Sequence, residues 1–129
     1  MTASLTACVV DTSWLVALLN PDDNFSAKAM VEAQTLHRAH IPPVILAETL
    51  SFMKYRTGRK DVMRDIVTRL SAKPLFVLAS PEHDHDATMQ YWDDNPKLSY
   101  QDAAAVAAAR RLGLPLVTFD RDQKAAMGG

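Results

Sequence analysis

The sequence predicts an α/β fold, a three-layer α/β/α sandwich around a central, mainly parallel sheet. Three observations predict it. Short apolar runs alternate with segments whose apolar residues recur at helical spacing. Strands interleaved with helices imply parallel pairing, with crossover helices covering both faces of the sheet. The length of 129 residues, 48% of them hydrophobic, suits one domain spanning residues 1–129 with a buried core and no repeat or low-complexity tract.

Leu5 to Val10 is an apolar run that reads as the first strand and ends at Asp11. Thr12 has the chemistry of an N-cap, and Ser13 to Leu19 continues at helical spacing. After the turn cluster Asn20-Pro21-Asp22-Asp23-Asn24, a second helix takes its apolar stripe from Ala29, Met30, Ala33 and Leu36. Ile41 precedes two prolines. Proline is tolerated in a helix's first turn, so Pro43 opens a helix through Leu46, Glu48, Leu50 and Met53 that ends near Gly58. Asp61 to Leu70 reads as an amphipathic helix, Leu75 to Leu78 as a strand, and Ser80-Pro81 as the cap and first position of a helix reaching Trp92. Ser99, with Asp102 three residues later, resembles a capping box for an alanine-rich helix that stops at Gly113. Pro115 to Phe119 is the last strand and ends at Asp120.

Charge and cysteine usage narrow the function classes. A formal charge of −1 from 14 basic and 15 acidic residues means that nucleic-acid contact depends on local clustering. Such a cluster exists: Lys54, Arg56, Arg59, Lys60, Arg64, Arg69 and Lys73 face only Asp61 and Asp65 over the same stretch. Cys8 is the one cysteine and lies in an apolar run, so it reads as a core residue in a protein without an internal disulfide, in a reducing compartment. No run has the length of a membrane span, and the N-terminus lacks a signal-peptide pattern, so a cytoplasmic location is expected.

The chemistry concentrates at acids. In open parallel sheets, ligands bind outside the carboxyl ends of the strands. Asp11 and Asp120 stand at such ends, and Asp102, at a helix start, and Glu48, about one turn into its helix, can reach the same rim. Carboxylates gathered within a few ångströms repel one another unless a divalent cation neutralises them, and hard oxygen ligands suit Mg2+ or Mn2+. Each acid alone also has a plain structural reading. Asp102 completes a capping box, Asp120 begins a turn, and Glu48 is a solvated helix residue. Asp11 is harder to explain away, because Thr12 already supplies a cap. The segment His83-Asp84-His85-Asp86 reads as an acidic first helical turn in preference to a metal site. Trp14, Trp92 and the methionines read as core packing.

Four segments together resemble the PIN-domain ribonucleases, and among them the VapC-type toxins of toxin–antitoxin pairs. Val10-Asp11-Thr12-Ser13-Trp14-Leu15-Val16-Ala17-Leu18 is similar to the family's opening strand and helix, and Pro43-Val44-Ile45-Leu46-Ala47-Glu48 to its second motif. Leu98-Ser99-Tyr100-Gln101-Asp102-Ala103 is similar to the third, and Leu116-Val117-Thr118-Phe119-Asp120-Arg121-Asp122 to the fourth. The resemblance implies a PIN-like fold and metal-dependent hydrolysis of RNA phosphodiesters. It implies Asp11, Asp102 and Asp120 as ligands of Mg2+ or Mn2+, Glu48 as a second-metal ligand or water-orienting group, and Thr118 and Asp122 in support. It further implies an RNA substrate held along its backbone by Lys54, Arg56, Arg59 and Lys60, a cognate antitoxin, a homodimer and no membrane partner. Family members usually continue past the position of Gln123 with an apolar residue and a further short segment, so a departure is expected at the last sheet edge. Two alternatives stand beside it. One is a non-catalytic PIN-like RNA- or protein-binding module. The other is a receiver-like phospho-accepting domain, which fits poorly because Asp11 is single and Leu75 to Leu78 runs into Ala79-Ser80.

Overall fold

The computed structural model describes residues 7–58, 64, 76–78 and 85–128. Among them are four strands, β1 (Ala7–Val10), β2 (Arg38–Ile41), β3 (Phe76–Leu78) and β4 (Leu116–Val117). The helices among them are α1 (Thr12–Leu19), α2 (Ser26–Gln34), α3 (Pro43–Thr57), α4 (His85–Asp94), α5 (Tyr100–Leu112) and α6 (Arg121–Ala126). Arg64 apart, the helix expected over Asp61 to Leu70 lies outside the described residues, as do Leu5, the Ser80-Pro81 cap, His83, Asp84, Arg59 and Lys60.

The sheet has the order β3-β2-β1-β4, and every pair is parallel. The chain therefore steps outward from β1 to β2 to β3 and then returns to the opposite side of β1 with β4. Strand order reverses between β1 and β4, and a crevice opens above their carboxyl ends. The register pairs Val10 with Val117, so the next residues along the two strands are Asp11 and Thr118.

Both faces of the sheet are covered. Side chains alternate along a strand. Val9 packs on Ala108 and Ala109 of α5, whereas Cys8 and Val10 join the cluster of Trp14 and Leu15 of α1, Ala29 of α2, Ile45 of α3 and Leu36 from the loop before β2. That sandwich is the predicted three-layer architecture. Residues such as Ala105, Ala108 and Ala109 are fully or almost fully buried, and their small side chains let α5 approach the strands closely. Pro43 opens α3 and Gly58 closes it at φ 61°, while Gly113 closes α5 at φ 65°, a left-handed conformation that favours glycine.

Several expectations are corrected. β2 was not anticipated: its burial alternates, with Ala39 and Ile41 inward and Arg38 outward, but four residues with two polar side chains give a weak pattern. The strand expected over Pro115 to Phe119 shrinks to Leu116–Val117, and the chain turns into α6 straight after Asp120. Met30 lies on the open side of α2, 55% exposed, because Ala29 and Leu36 take the inward positions. Trp92 is exposed as well, edge-on to Tyr100 at 6.2 Å, so it is not core. Trp14, Met53 and Cys8 are buried as expected, and burial pushes the Cys8 thiol up to about 12.

Candidate functional site

Asp11 caps α1, a role that sequence reading gave to Thr12. Its backbone is still extended, at φ −110° and ψ −179°, and its Oδ1 accepts from the Trp14 amide at 2.9 Å. Thr12 is already helical, and its hydroxyl instead donates to Glu48 of α3. Asp11 therefore does have a structural task, against expectation. The cap nonetheless leaves most of the carboxylate's acceptor capacity to other donors.

Those donors come from two strand ends. The Ser13 hydroxyl lies 2.8 and 3.0 Å from the two Asp11 oxygens and accepts from the Phe119 amide at 3.0 Å. The Thr118 hydroxyl donates to Asp11 Oδ2 at 2.5 Å and accepts from the Asp120 amide at 2.9 Å. A hydroxyl has one proton. With Asp11 ionised, that proton belongs to the carboxylate, and Gln123 Oε1, 3.0 Å from Thr118 Oγ1, is its alternative acceptor.

Asp102 and Asp120 also sit at helix starts. Ser99 and Asp102 make the predicted capping box, the Asp102 amide donating to Ser99 Oγ at 3.1 Å and the Ser99 amide to Asp102 Oδ2 at 3.3 Å. Asp120 caps α6 by accepting from the Gln123 amide at 3.0 Å. The plain structural readings of both residues are thus correct. Each bond engages only one carboxylate oxygen, so a capping role and a role in the crevice are compatible.

Electrostatics join the acids around Asp102. Burial raises the Asp102 carboxyl above its usual range, against lowering bonds from Ser99, and the charges of Asp120 and Glu48 raise it further. Asp11, 1% exposed, is raised to about 6 by burial, with the charge of Asp102 adding to it against lowering hydrogen bonds from Thr118, Trp14 and Ser13. Asp102 thus links the set, raised by Asp120 and Glu48 and itself raising Asp11. Repulsion of this kind is what a cation relieves.

The cleft between these groups has a volume of about 440 Å³ and is lined by Asp11, Asp102 and Asp120 with Phe25, Phe52 and Phe119. Glu48 opens instead onto the adjoining hollow. Among the described residues, no three acids, histidines or cysteines form a ready-made metal-binding group, so the expected four-acid site is a shared rim and not a closed ligand shell. The reason is local: Asp102 and Asp120 are each turned toward a helix start. The donor set still fits a hard divalent cation, since it consists of carboxylate oxygens, with neighbouring charges raising Asp11 and Asp102. Asp122 lies in the first turn of α6 and does not line the cleft. Arg56 and Lys54 stand exposed in the last turn of α3.

Three participants were not picked out from sequence. Ser13 was signalled only by its place two residues after a strand-end acid. Thr12 was assigned to the wrong task. Gln123 is fully buried, and its amide reaches the Asp102 carbonyl at 3.3 Å as well as Thr118.

A family model for the PIN domain matches residues 8–128. The chain belongs to the PIN-domain family. Solved structures agree with that membership. Mycobacterium tuberculosis VapC20, described as a toxin that cleaves the sarcin–ricin loop, superimposes with a TM-score of 0.74 at 25% identity, covering 92% of this chain and 94% of that one. A Pyrobaculum aerophilum protein gives a TM-score of 0.64 at 22% identity over 99% of this chain and 90% of its own. Rickettsia felis VapBC2, solved with a DNA fragment from its promoter, gives 0.65 at 13% identity over 94% and 93%. No curated protein matches the sequence significantly. For this PIN domain the receiver alternative falls away. Among the described residues, no helix is long and apolar enough to cross a membrane.

Proposed function

We propose that this PIN domain is a Mg2+- or Mn2+-dependent endoribonuclease and the toxin of a toxin–antitoxin pair. One observation carries the reading. The charges of Asp120 and Glu48 act on Asp102, and that of Asp102 on Asp11, at the crevice where strand order reverses, and Asp11 is buried there at a raised proton affinity. The likeness to VapC20, a toxin that cleaves the sarcin–ricin loop, supports RNA as the substrate and the role of a toxin, and a separate antitoxin is its proposed partner.

The chemistry a bound divalent cation supplies is neutralisation of the attacked phosphate and acidification of the attacking water. Asp11, Asp102 and Asp120 are the residues that would hold it. The chain's own donors fix those acids in place: the Trp14 backbone N–H and the Ser13 and Thr118 hydroxyls orient Asp11, the Ser99 backbone N–H orients Asp102, and the Gln123 backbone N–H orients Asp120. The Thr12 hydroxyl steers Glu48, which serves a second cation or a water. Asp122, away from the cleft, acts only in support. Lys54 and Arg56, continuing through Arg59 and Lys60, bind the RNA backbone, an interaction weakened by salt. The exposed Met30 and Val31 of α2 offer apolar surface for a homodimer or the antitoxin.

The test is RNA cleavage by purified protein with Mg2+, with Mn2+ and with EDTA, alongside Asp11→Asn and Asp102→Asn. Cleavage should require the cation and be lost in both variants while the circular dichroism spectrum stays native. Cleavage that survives EDTA or either substitution refutes this site. A protein that binds RNA but never cuts it is the non-catalytic module.

A further inference from the structure

We propose that the hollow beside the acidic cleft is a subsite for one unpaired nucleobase, flanked by Phe52 and Tyr55 and read by Ser51 and Gln101. The inference rests on the ribonuclease reading above and adds where the nucleotide next to the cut bond is held. The hollow has a volume of about 540 Å³, and Glu48, Ser51, Phe52, Tyr55 and Gln101 are among its lining residues. Phe52 also lines the acidic cleft, so one ring divides the two spaces. Gln101 directly precedes Asp102, which lines the acidic cleft. A strand whose phosphate lies among the acids therefore has its neighbouring nucleotide at Phe52.

The chemistry of the hollow selects a base. Phe52 is 41% exposed and Tyr55 89% exposed, three residues apart on one side of α3. Neither ring is used by the core. Aromatic faces open to solvent beside a phosphate-binding site are stacking platforms for single-stranded nucleic acid, because every base offers a π face. The Ser51 hydroxyl and the Gln101 amide can both donate and accept, as an exposed base edge requires. Arg56, with its guanidinium 5.6 Å from the Phe52 ring centroid, supplies a cation for the same nucleotide's phosphate.

The test uses a randomised single-stranded RNA pool, with every cleavage junction sequenced for wild type, Phe52→Ala, Phe52→Tyr, Tyr55→Ala and Gln101→Ala. Wild type should prefer certain bases at one position next to the cut. Phe52→Ala should lower kcat/KM by about 5- to 150-fold, the range expected from losing one base stack, and flatten that preference. Phe52→Tyr should restore both. Gln101→Ala should change which bases are preferred at that position and leave the others alone. If wild type cuts the pool and Phe52→Ala gives the same rate and junction profile, the subsite is refuted and the ribonuclease reading stands. If wild type neither binds nor cuts RNA, both fall. Variants unchanged toward RNA but altered in self-association would make this face a protein interface, which also overturns the proposal.

Discussion

Replacing Asp11 with asparagine should abolish cleavage and make the fold more stable at pH 8. Asp11 is 1% exposed, and burial, with Asp102 adding to it against three hydrogen bonds, raises its carboxyl from 3.8 to about 6. A rise of that size is a penalty of about 3 kcal/mol on the ionised native state. The native protein binds this proton more tightly than the unfolded chain does. The penalty is therefore absent below pH 3.8, grows between 3.8 and about 6, and is complete above. Asparagine escapes it. Its carbonyl keeps the acceptor role toward Trp14 N–H, and its amide donates to Thr118 Oγ1, whose proton turns to Gln123 Oε1, 3.0 Å away. The reversed bonds cost about 1 kcal/mol, leaving a net gain of about 2 kcal/mol. With a urea slope of about 1–3 kcal/mol per molar, the midpoint should rise by about 1 M. Urea unfolding followed by circular dichroism at pH 4, 6 and 8, without divalent cations, measures the gap. It should be widest at pH 8 and closed or slightly reversed at pH 4, where the penalty is nearly absent and the reversed bonds still cost about 1 kcal/mol. A variant less stable than wild type at pH 8, or a gap that does not change with pH, refutes the reasoning.

Thr118→Val removes a hydrogen bond that lowers the proton affinity of Asp11, so that group should rise beyond about 6. The acid limb of the pH–rate profile should then move to higher pH, and an unmoved limb would refute the link. Gln123→Leu keeps the buried volume but removes the amide that joins Thr118 to the Asp102 carbonyl. Cleavage should fall by roughly 10-fold, about 1.4 kcal/mol, while chemical denaturation shows a fold still two-state. Ser99→Ala removes the cap of α5 and should cost about 1 kcal/mol in unfolding free energy. Cys8, fully buried with its thiol pushed up to about 12, should react with a thiol reagent only when the protein unfolds. Reaction at the native rate of a free thiol would contradict the packing around β1.

The three-layer arrangement was legible because β1, α1, α3 and α5 are locally consistent. β1 and α1 are apolar runs, and the two longer helices carry the punctuation that bounds them, Pro43 and Gly58 around α3 and Ser99 and Gly113 around α5. β2, with two polar side chains among its four residues, and β4, with only two residues, show no clear pattern of their own. β2 was therefore missed and β4 drawn too long, since their strand identity comes from the register with β1. Exposed Met30 and Trp92 had the same cause in reverse: an apolar residue announces that it can be buried, and only the neighbours decide whether it is.

For the candidate site, the sequence by itself determined which acids stand at strand ends and helix starts. Those positions follow from local chain direction, which spacing reports. Tertiary structure alone decided how the acids relate. Pairing Val10 with Val117 sets Asp11 against Thr118, 107 residues away in the chain, and the return of the chain to β4 brings Asp120 and Gln123 alongside. It also decided that Asp11, not Thr12, caps α1, and that the charges of Asp120 and Glu48 act on Asp102. Hydrogen bonds and charge repulsion depend on ångström separations between distant segments, and a linear pattern contains no such distances.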